Sequence, residues 1–256
     1  SRYYGEERRF ETVDNYEQTI AKKHKVGAML GYSWEERDNN DGFGLTVHNF
    51  FDDALKWNQL SYAGQIDGMT AVESGTKEKI RNISFYGRIS YSYDSRYMLQ
   101  ATLRRDGSSV FGKNHRWGTF PSVSAAWNIT EERFMDGLKD VLNLSNLKFR
   151  VGYGISGNAL GFGAYAAVPT YGANGSISVI NGRNWATLQA TKLANEDLKW
   201  EKTGMLNIGL DFAFFNGRLN GSVEYYHKVT DDLIWNYPVS SFIYPVNNIA
   251  ANVGKI

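Results

Sequence analysis

The chain of 256 residues has no cysteine. That excludes a disulfide framework and any thiolate metal site. Proline is scarce, at 4 residues, and Lys and Arg outnumber Asp and Glu by only one, 28 against 27. With no basic excess there is no electrostatic footprint for nucleic acid. No apolar run approaches the roughly 18 residues of a transmembrane helix. A membrane is not excluded by this, because a barrel strand crosses with about 9–11 residues of which only alternate ones are apolar. No apolar stretch follows Ser1-Arg2-Tyr3-Tyr4, so these residues are not expected to be a signal peptide. Both ends read as cut from something longer, the last being Asn252-Val253-Gly254-Lys255-Ile256.

Aromatics and glycine are plentiful instead: 16 Tyr, 14 Phe, 7 Trp and 26 Gly. The order of residues explains the mixture. Ile83, Phe85, Gly87, Ile89, Tyr91 and Tyr93 alternate with Ser84, Tyr86, Arg88, Ser90 and Ser92. Tyr97, Leu99, Ala101 and Leu103 alternate with Met98, Gln100, Thr102 and Arg104, and Leu147, Phe149, Val151, Tyr153 and Ile155 with Lys148, Arg150, Gly152 and Gly154. A period of two gives each strand one apolar and one wet face. On this pattern eight strands are expected, near 8–20, 25–37, 80–93, 96–106, 116–129, 146–156, 201–215 and 218–230.

Connector lengths add a second signal. Residues 21–24, Asp94-Ser95 and the type I′ candidate Asn216-Gly217 are tight, whereas 38–79 and 157–200 are long. In an up-and-down barrel successive connectors fall at opposite ends, short ones on the periplasmic side and long ones outside. A soluble sandwich gives no reason for such alternation. The intermediate connector 130–145 is assigned to the periplasmic side, with a short helix expected at its Glu131-Glu132-Arg133-Phe134-Met135 opening. A helical turn is expected within 49–63, and an extended loop or protruding hairpin within 161–182.

Few motifs suggest chemistry. Gly152-Tyr153-Gly154-Ile155-Ser156-Gly157 matches the dinucleotide fingerprint in spacing. Gly161 and Gly163 break any following helix, however, and no Asp or Glu occurs between Asn158 and Asn195. These glycines read instead as thinning one strand face. The four histidines, His24, His48, His115 and His227, lie outside metal-ligand spacing of one another. Asp52-Asp53, Glu131-Glu132 and Asp231-Asp232 are read as solvated connector charge. No nucleophile elbow or phosphate loop occurs. Neither an enzyme nor a cofactor is expected.

Tyr91, Tyr93, Tyr97, Trp117, Trp127, Tyr225 and Tyr226 cluster toward strand ends, as in the aromatic girdles of membrane barrels. The competing reading is ordinary β-propensity. Polar-face candidates for the barrel lumen are Arg88, Arg104, Lys148, Arg150 and Glu224. Aromatics of the long connectors, Phe43, Trp57, Tyr62, Phe162, Tyr165, Tyr171 and Trp185, are candidates for ligand or partner contact, with packing inside the loops as the alternative.

Three blocks carry a family resemblance. They are Arg105-Asp106-Gly107-Ser108-Ser109-Val110-Phe111-Gly112 with Arg116 to Trp127, then Leu147 to Asn158, then Asn195-Glu196-Asp197-Leu198-Lys199-Trp200-Glu201 running on to Tyr225-Tyr226. In order and spacing the chain resembles the SusC/RagA family of TonB-dependent outer-membrane transporters. The resemblance implies part of a 22-stranded barrel from a Bacteroidetes outer membrane. It also implies import of oligosaccharides or peptides, a SusD-like surface lipoprotein as partner, and coupling to TonB. The family's plug, TonB box and C-terminal strand have no counterpart in these residues. Two rivals stand beside this reading: a structural or adhesive surface β-protein, and a soluble carbohydrate-binding sandwich.

Overall fold

The computed structural model describes residues 2–46, 71–74, 77–159, 163–244 and 246–256. Its twelve strands are β1 (Arg2–Ile20), β2 (His24–Thr46), β3 (Ala71–Ser74), β4 (Glu78–Tyr93), β5 (Tyr97–Ser108), β6 (Trp117–Asn128), β7 (Leu144–Asn158), β8 (Thr170–Ile180), β9 (Arg183–Lys192), β10 (Glu201–Phe214), β11 (Leu219–Pro238) and β12 (Asn248–Lys255). One short helix, α1 (Asp136–Leu142), precedes β7. All strand pairs are antiparallel. The main sheet runs β1-β2-β4-β5-β6-β7-β10-β11-β12, with β3 paired to β2, while β8 and β9 form a separate hairpin. This is an open meander, a stretch of barrel wall with two free edges.

Register explains the two faces. Val26, Tyr91, Leu99, Ala125, Val151, Ile208 and Tyr225 are successive cross-strand partners over seven strands. The adjacent rung, Lys25, Ser92, Met98, Ala126, Arg150, Gly209 and Glu224, lies on the opposite face. One face is thus apolar over these seven strands, yet Ile89 and Val223 on it remain 63% and 65% exposed. No protein layer covers it among the described residues, and a lipid-facing barrel exterior needs none.

The apolar face is bounded by two aromatic rows. His24, Tyr93, Tyr97, Trp127 and Phe149 are successive partners at one end. Trp34, Ile83, Gly107 and Trp117 form the corresponding rung at the other. Ten residues separate Tyr93 from Ile83 on β4, roughly 33 Å along the strand, which a tilt of about 40° converts to about 25 Å of height. That is the thickness of an outer-membrane apolar band. Tyr91 and Tyr225 lie one step inside the girdle. Tyr226 is a correction, since it pairs with Asn207 on the polar face.

Connector parity holds. The turns after β1, β4 and β10 share one rim with the 129–143 connector. Asp94 donates its backbone N–H to Lys23 O at 2.7 Å, Asn128 to Arg96 O at 2.7 Å and Phe215 to Asn143 O at 2.7 Å. Three tight turns place residue pairs at positive φ: Ala21-Lys22, Asp94-Ser95 and Phe215-Asn216. The last turn sits one residue earlier than Asn216-Gly217, with Gly217 N–H donating to Phe214 O at 3.1 Å.

Other expectations need correction. The eight expected strands are all present, as β1, β2, β4, β5, β6, β7, β10 and β11, and β3, β8, β9 and β12 join them among the described residues. β1, β2 and β11 extend well past the alternating segments, and Asp231-Asp232 lie inside β11 rather than in a connector. Apolar alternation marks only the membrane-height part of a strand. Beyond it both faces turn polar, while backbone pairing continues, from Phe10↔Trp34 to Arg2↔Phe43. Residues 38–79 are therefore partly strand. The hairpin of the second long connector is β8–β9, displaced from 161–182. Its turn, Asn181-Gly182 with φ of 52° and 71°, is a strong hairpin signal present in the sequence. The helical turn expected within 49–63 lies outside the described residues.

Candidate functional site

Two regions gather polar and aromatic side chains: the long-connector rim and the polar face below it. The rim is built by the connectors that follow β5 and precede β10. Val110, Phe111, Phe120, Ala166, Ala167, Leu198, Trp200 and Ala250 form a buried cluster, with Phe111 1% and Leu198 0% exposed. Phe111 and Trp200 have ring centroids 4.6 Å apart, and Phe120 meets Trp200 edge-on at 5.4 Å. Gly112 N–H donates to Leu198 O at 3.1 Å, and the Trp200 indole N–H to Arg116 O at 3.0 Å. Only glycine fits at position 112, because a Cβ there would lie 1.8 Å from Glu196 O. Two sequence blocks about ninety positions apart thus close on one another. Asn252 ties in β12, accepting from Lys199 N–H at 3.0 Å and donating to Lys199 O at 2.9 Å.

This cluster also accounts for the glycines of the 152–157 stretch. The Phe120 ring occupies the space a Cβ of Gly157 would take, at 2.1 Å, and Ser122 approaches that of Gly154 to 3.0 Å. They make room for side chains.

The polar face carries a charge relay anchored by Arg150. Its guanidinium donates to both Asp211 carboxylate oxygens at 2.8 Å, and to Glu224 Oε1 at 2.7 Å. The intervening residue on β10 is Gly209, whose absent side chain leaves Arg150 3.1 Å from its Cβ position. Higher on the face Arg104 donates to Asp106 at 2.8 Å and to Ser84 at 3.0 Å, and stacks over Tyr86 at 5.4 Å. Arg88 pairs across to Met29 and Thr102, and Lys148 to Asp211 and Asn128, on the same face. Arg150 and Glu224 are brought together, with Lys148 across from Asp211, which Arg150 also holds, whereas Arg88 and Arg104 are separate stations. The carboxylates Asp106 and Asp211, which complete these clusters, were not among the sequence candidates. For Asp106 the signal is the two-residue step from Arg104 on one strand face. Asp211, by contrast, is brought to Arg150 only by register. A trough of about 450 Å³ runs along this face, with Glu17, Lys25, Ser90, Gln100, Ser124 and Arg150 in its lining.

The connector aromatics separate. Tyr171 and Trp185 stand exposed on the β8–β9 hairpin, and Phe43 is exposed on β2 beside the rim. Tyr165 donates its hydroxyl to Lys77 O, linking the two long connectors. Trp57, Tyr62 and Phe162 lie outside the described residues.

A family model of the TonB-dependent receptor-like β-barrel matches residues 1–256. Among curated relatives, the chain is 36% identical over 252 residues to TonB-dependent receptor P39 of Formosa agariphila, covering 96% of this chain and 22% of that protein. It is 45% identical over 153 residues to TonB-dependent receptor SusC of Bacteroides thetaiotaomicron, covering 59% of this chain and 15% of that protein. The RagAB peptide importer in its closed-closed state superposes with a TM-score of 0.84 at 25% identity, over 99% of this chain and 26% of that one. The chain therefore spans about a quarter or less of the length of these relatives. Aromatic girdles, an uncovered apolar exterior and alternating connectors agree with the family match, so the chain belongs to the TonB-dependent receptor β-barrels of the outer membrane and forms part of such a barrel's wall.

Proposed function

We propose that these residues are one segment, within a single barrel domain, of a SusC-like importer that takes up oligosaccharides or peptides together with a SusD-like surface lipoprotein. The observation that supports it best is the β8–β9 hairpin. It stands on the long-connector rim with Tyr171 and Trp185 exposed, close to a packed cluster that braces the connectors on either side of it. Recognition surfaces usually sit on loops held by a rigid scaffold. Exposed aromatic rings suit both sugar faces and protein interfaces. The polar face, with Arg88, Arg104, Lys148, Arg150 and Glu224, then faces the lumen and offers hydrogen bonds to a plug or a passing solute. Coupling to TonB belongs to parts of the receptor outside these residues. The role is transport, not catalysis.

The test is Tyr171→Ala with Trp185→Ala in the full-length receptor, measuring uptake and lipoprotein co-purification at equal outer-membrane abundance. Loss of either supports the reading. Normal values for both remove the hairpin from the binding surface.

A further inference from the structure

The 129–143 connector on the short-turn rim ends in α1, a helix whose apolar stripe faces away from the protein. Leu138, Val141 and Leu142 fall on one side at the i, i+3, i+4 spacing, with Phe134 one turn before them. All four are exposed, Val141 at 77%. The side that packs on the barrel is carried by Met135 and Lys139, while Asp136 and Asp140 fall opposite the stripe. An amphipathic helix normally buries its apolar side in its own protein. Here that side is left outward.

Its position ties it to the apolar exterior of the barrel. Phe134 packs edge-on against Trp127, centroids 6.5 Å apart, and Trp127 belongs to the aromatic row bounding the apolar exterior. Glu132 pins the connector to that row, accepting from the Tyr97 hydroxyl and from the Trp127 indole N–H at 3.1 Å. A second route leads the same way. Phe212, Phe214 and Phe215 follow one another at 5.9 and 6.4 Å, from the β10 end into the turn whose backbone bonds to Asn143. The stripe is therefore continuous, through Phe134 and Trp127, with the surface that faces lipid, and the phenylalanine chain of β10 ends at the backbone of the residue that follows α1.

We infer that α1 and Phe134 form an interfacial foot that inserts into the acyl–headgroup boundary of the periplasmic phospholipid leaflet and fixes the barrel's depth. Short amphipathic segments bind membranes in this way. The inference rests on the barrel reading but not on any ligand or lipoprotein.

The test places a single cysteine, labelled with an environment-sensitive fluorophore, at Val141, Asp140 or Ile89 of the full-length receptor. The receptor is reconstituted in phosphatidylethanolamine–phosphatidylglycerol nanodiscs, and folding is confirmed by heat modifiability. Ile89 serves as the lipid-facing reference. The Val141 probe is expected to emit blue-shifted and to be quenched several-fold more by a nitroxide-bearing phospholipid than by aqueous iodide, with Asp140 showing the reverse. Iodide quenching at Val141 that matches Asp140 overturns the foot. So does protection from both quenchers, which would mean that another part of the receptor covers α1. Failure of the Ile89 reference would instead overturn the face assignment of the barrel itself.

Discussion

Replacing Gly112 by Ala isolates the closure between two rim segments without touching the barrel strands. The new Cβ would meet Glu196 O at 1.8 Å and Glu196 C at 2.3 Å, both backbone atoms that cannot rotate away. Restoring an ordinary carbon–oxygen contact of about 3.4 Å requires the two segments to part by roughly 1.5 Å. That breaks the 3.1 Å bond from Gly112 N–H to Leu198 O, worth about 1 kcal/mol. It also opens a gap beside Phe111, Leu198 and Trp200. Removing a buried Phe outright costs about 3–5 kcal/mol, and a gap of this size forfeits up to about half of the contact energy. The sum is about 3 kcal/mol, or about a hundredfold in a local opening equilibrium. Hydrogen exchange followed by mass spectrometry on the full-length receptor should show residues 109–112 and 195–200 exchanging about a hundredfold faster. The strands around Leu99 and Val123 should be unchanged. Gly137→Ala is the control, since nothing lies within 4 Å of its Cβ position. Unchanged exchange in both rim segments of the Gly112 variant would refute the closure.

Face assignment predicts a contrast between neighbours on β5. Ala101→Arg, at mid-height opposite Ile89, puts a charge on the lipid side at about 2–4 kcal/mol, whereas Gln100→Arg faces the polar trough and should be nearly neutral. Urea titration read by heat modifiability separates them, and equal effects would reverse the register. The connector should also respond to pH through Glu132, whose carboxyl is held below the usual glutamate range, first by the Tyr97 hydroxyl and then by the Trp127 indole N–H. A depressed folded pKa gives stabilisation that is present above the ordinary glutamate range and lost as pH falls through the lowered value. Trp127 fluorescence should therefore hold steady as pH falls through the ordinary glutamate range and change only below it. Glu132→Gln should abolish that transition, and a midpoint at or above the ordinary range contradicts the assignment.

The sequence by itself determined the wall. Ile83 to Tyr93 alternates so regularly that the lipid and polar faces are both legible, because a period of two assigns every side chain a face once one is known. Connector lengths likewise fixed which turns share a rim, since an antiparallel meander leaves no other arrangement. What the sequence obscured follows from the same rule. Past the apolar band, β1 and β2 continue through Glu35-Glu36-Arg37-Asp38, where neither face is apolar and alternation carries no signal, although the backbone still pairs. Only the tertiary structure decided the rim. Phe111 and Trp200 look like two unrelated loop aromatics until the β6–β7–β10 register brings their connectors together. Gly112 and Gly209 show no local reason to be glycine until Glu196 and Arg150 arrive from elsewhere in the chain. The outward stripe of α1 was equally hidden. A helical period announces an apolar side but not what lies against it, and that depends on where the folded barrel leaves the helix relative to the membrane.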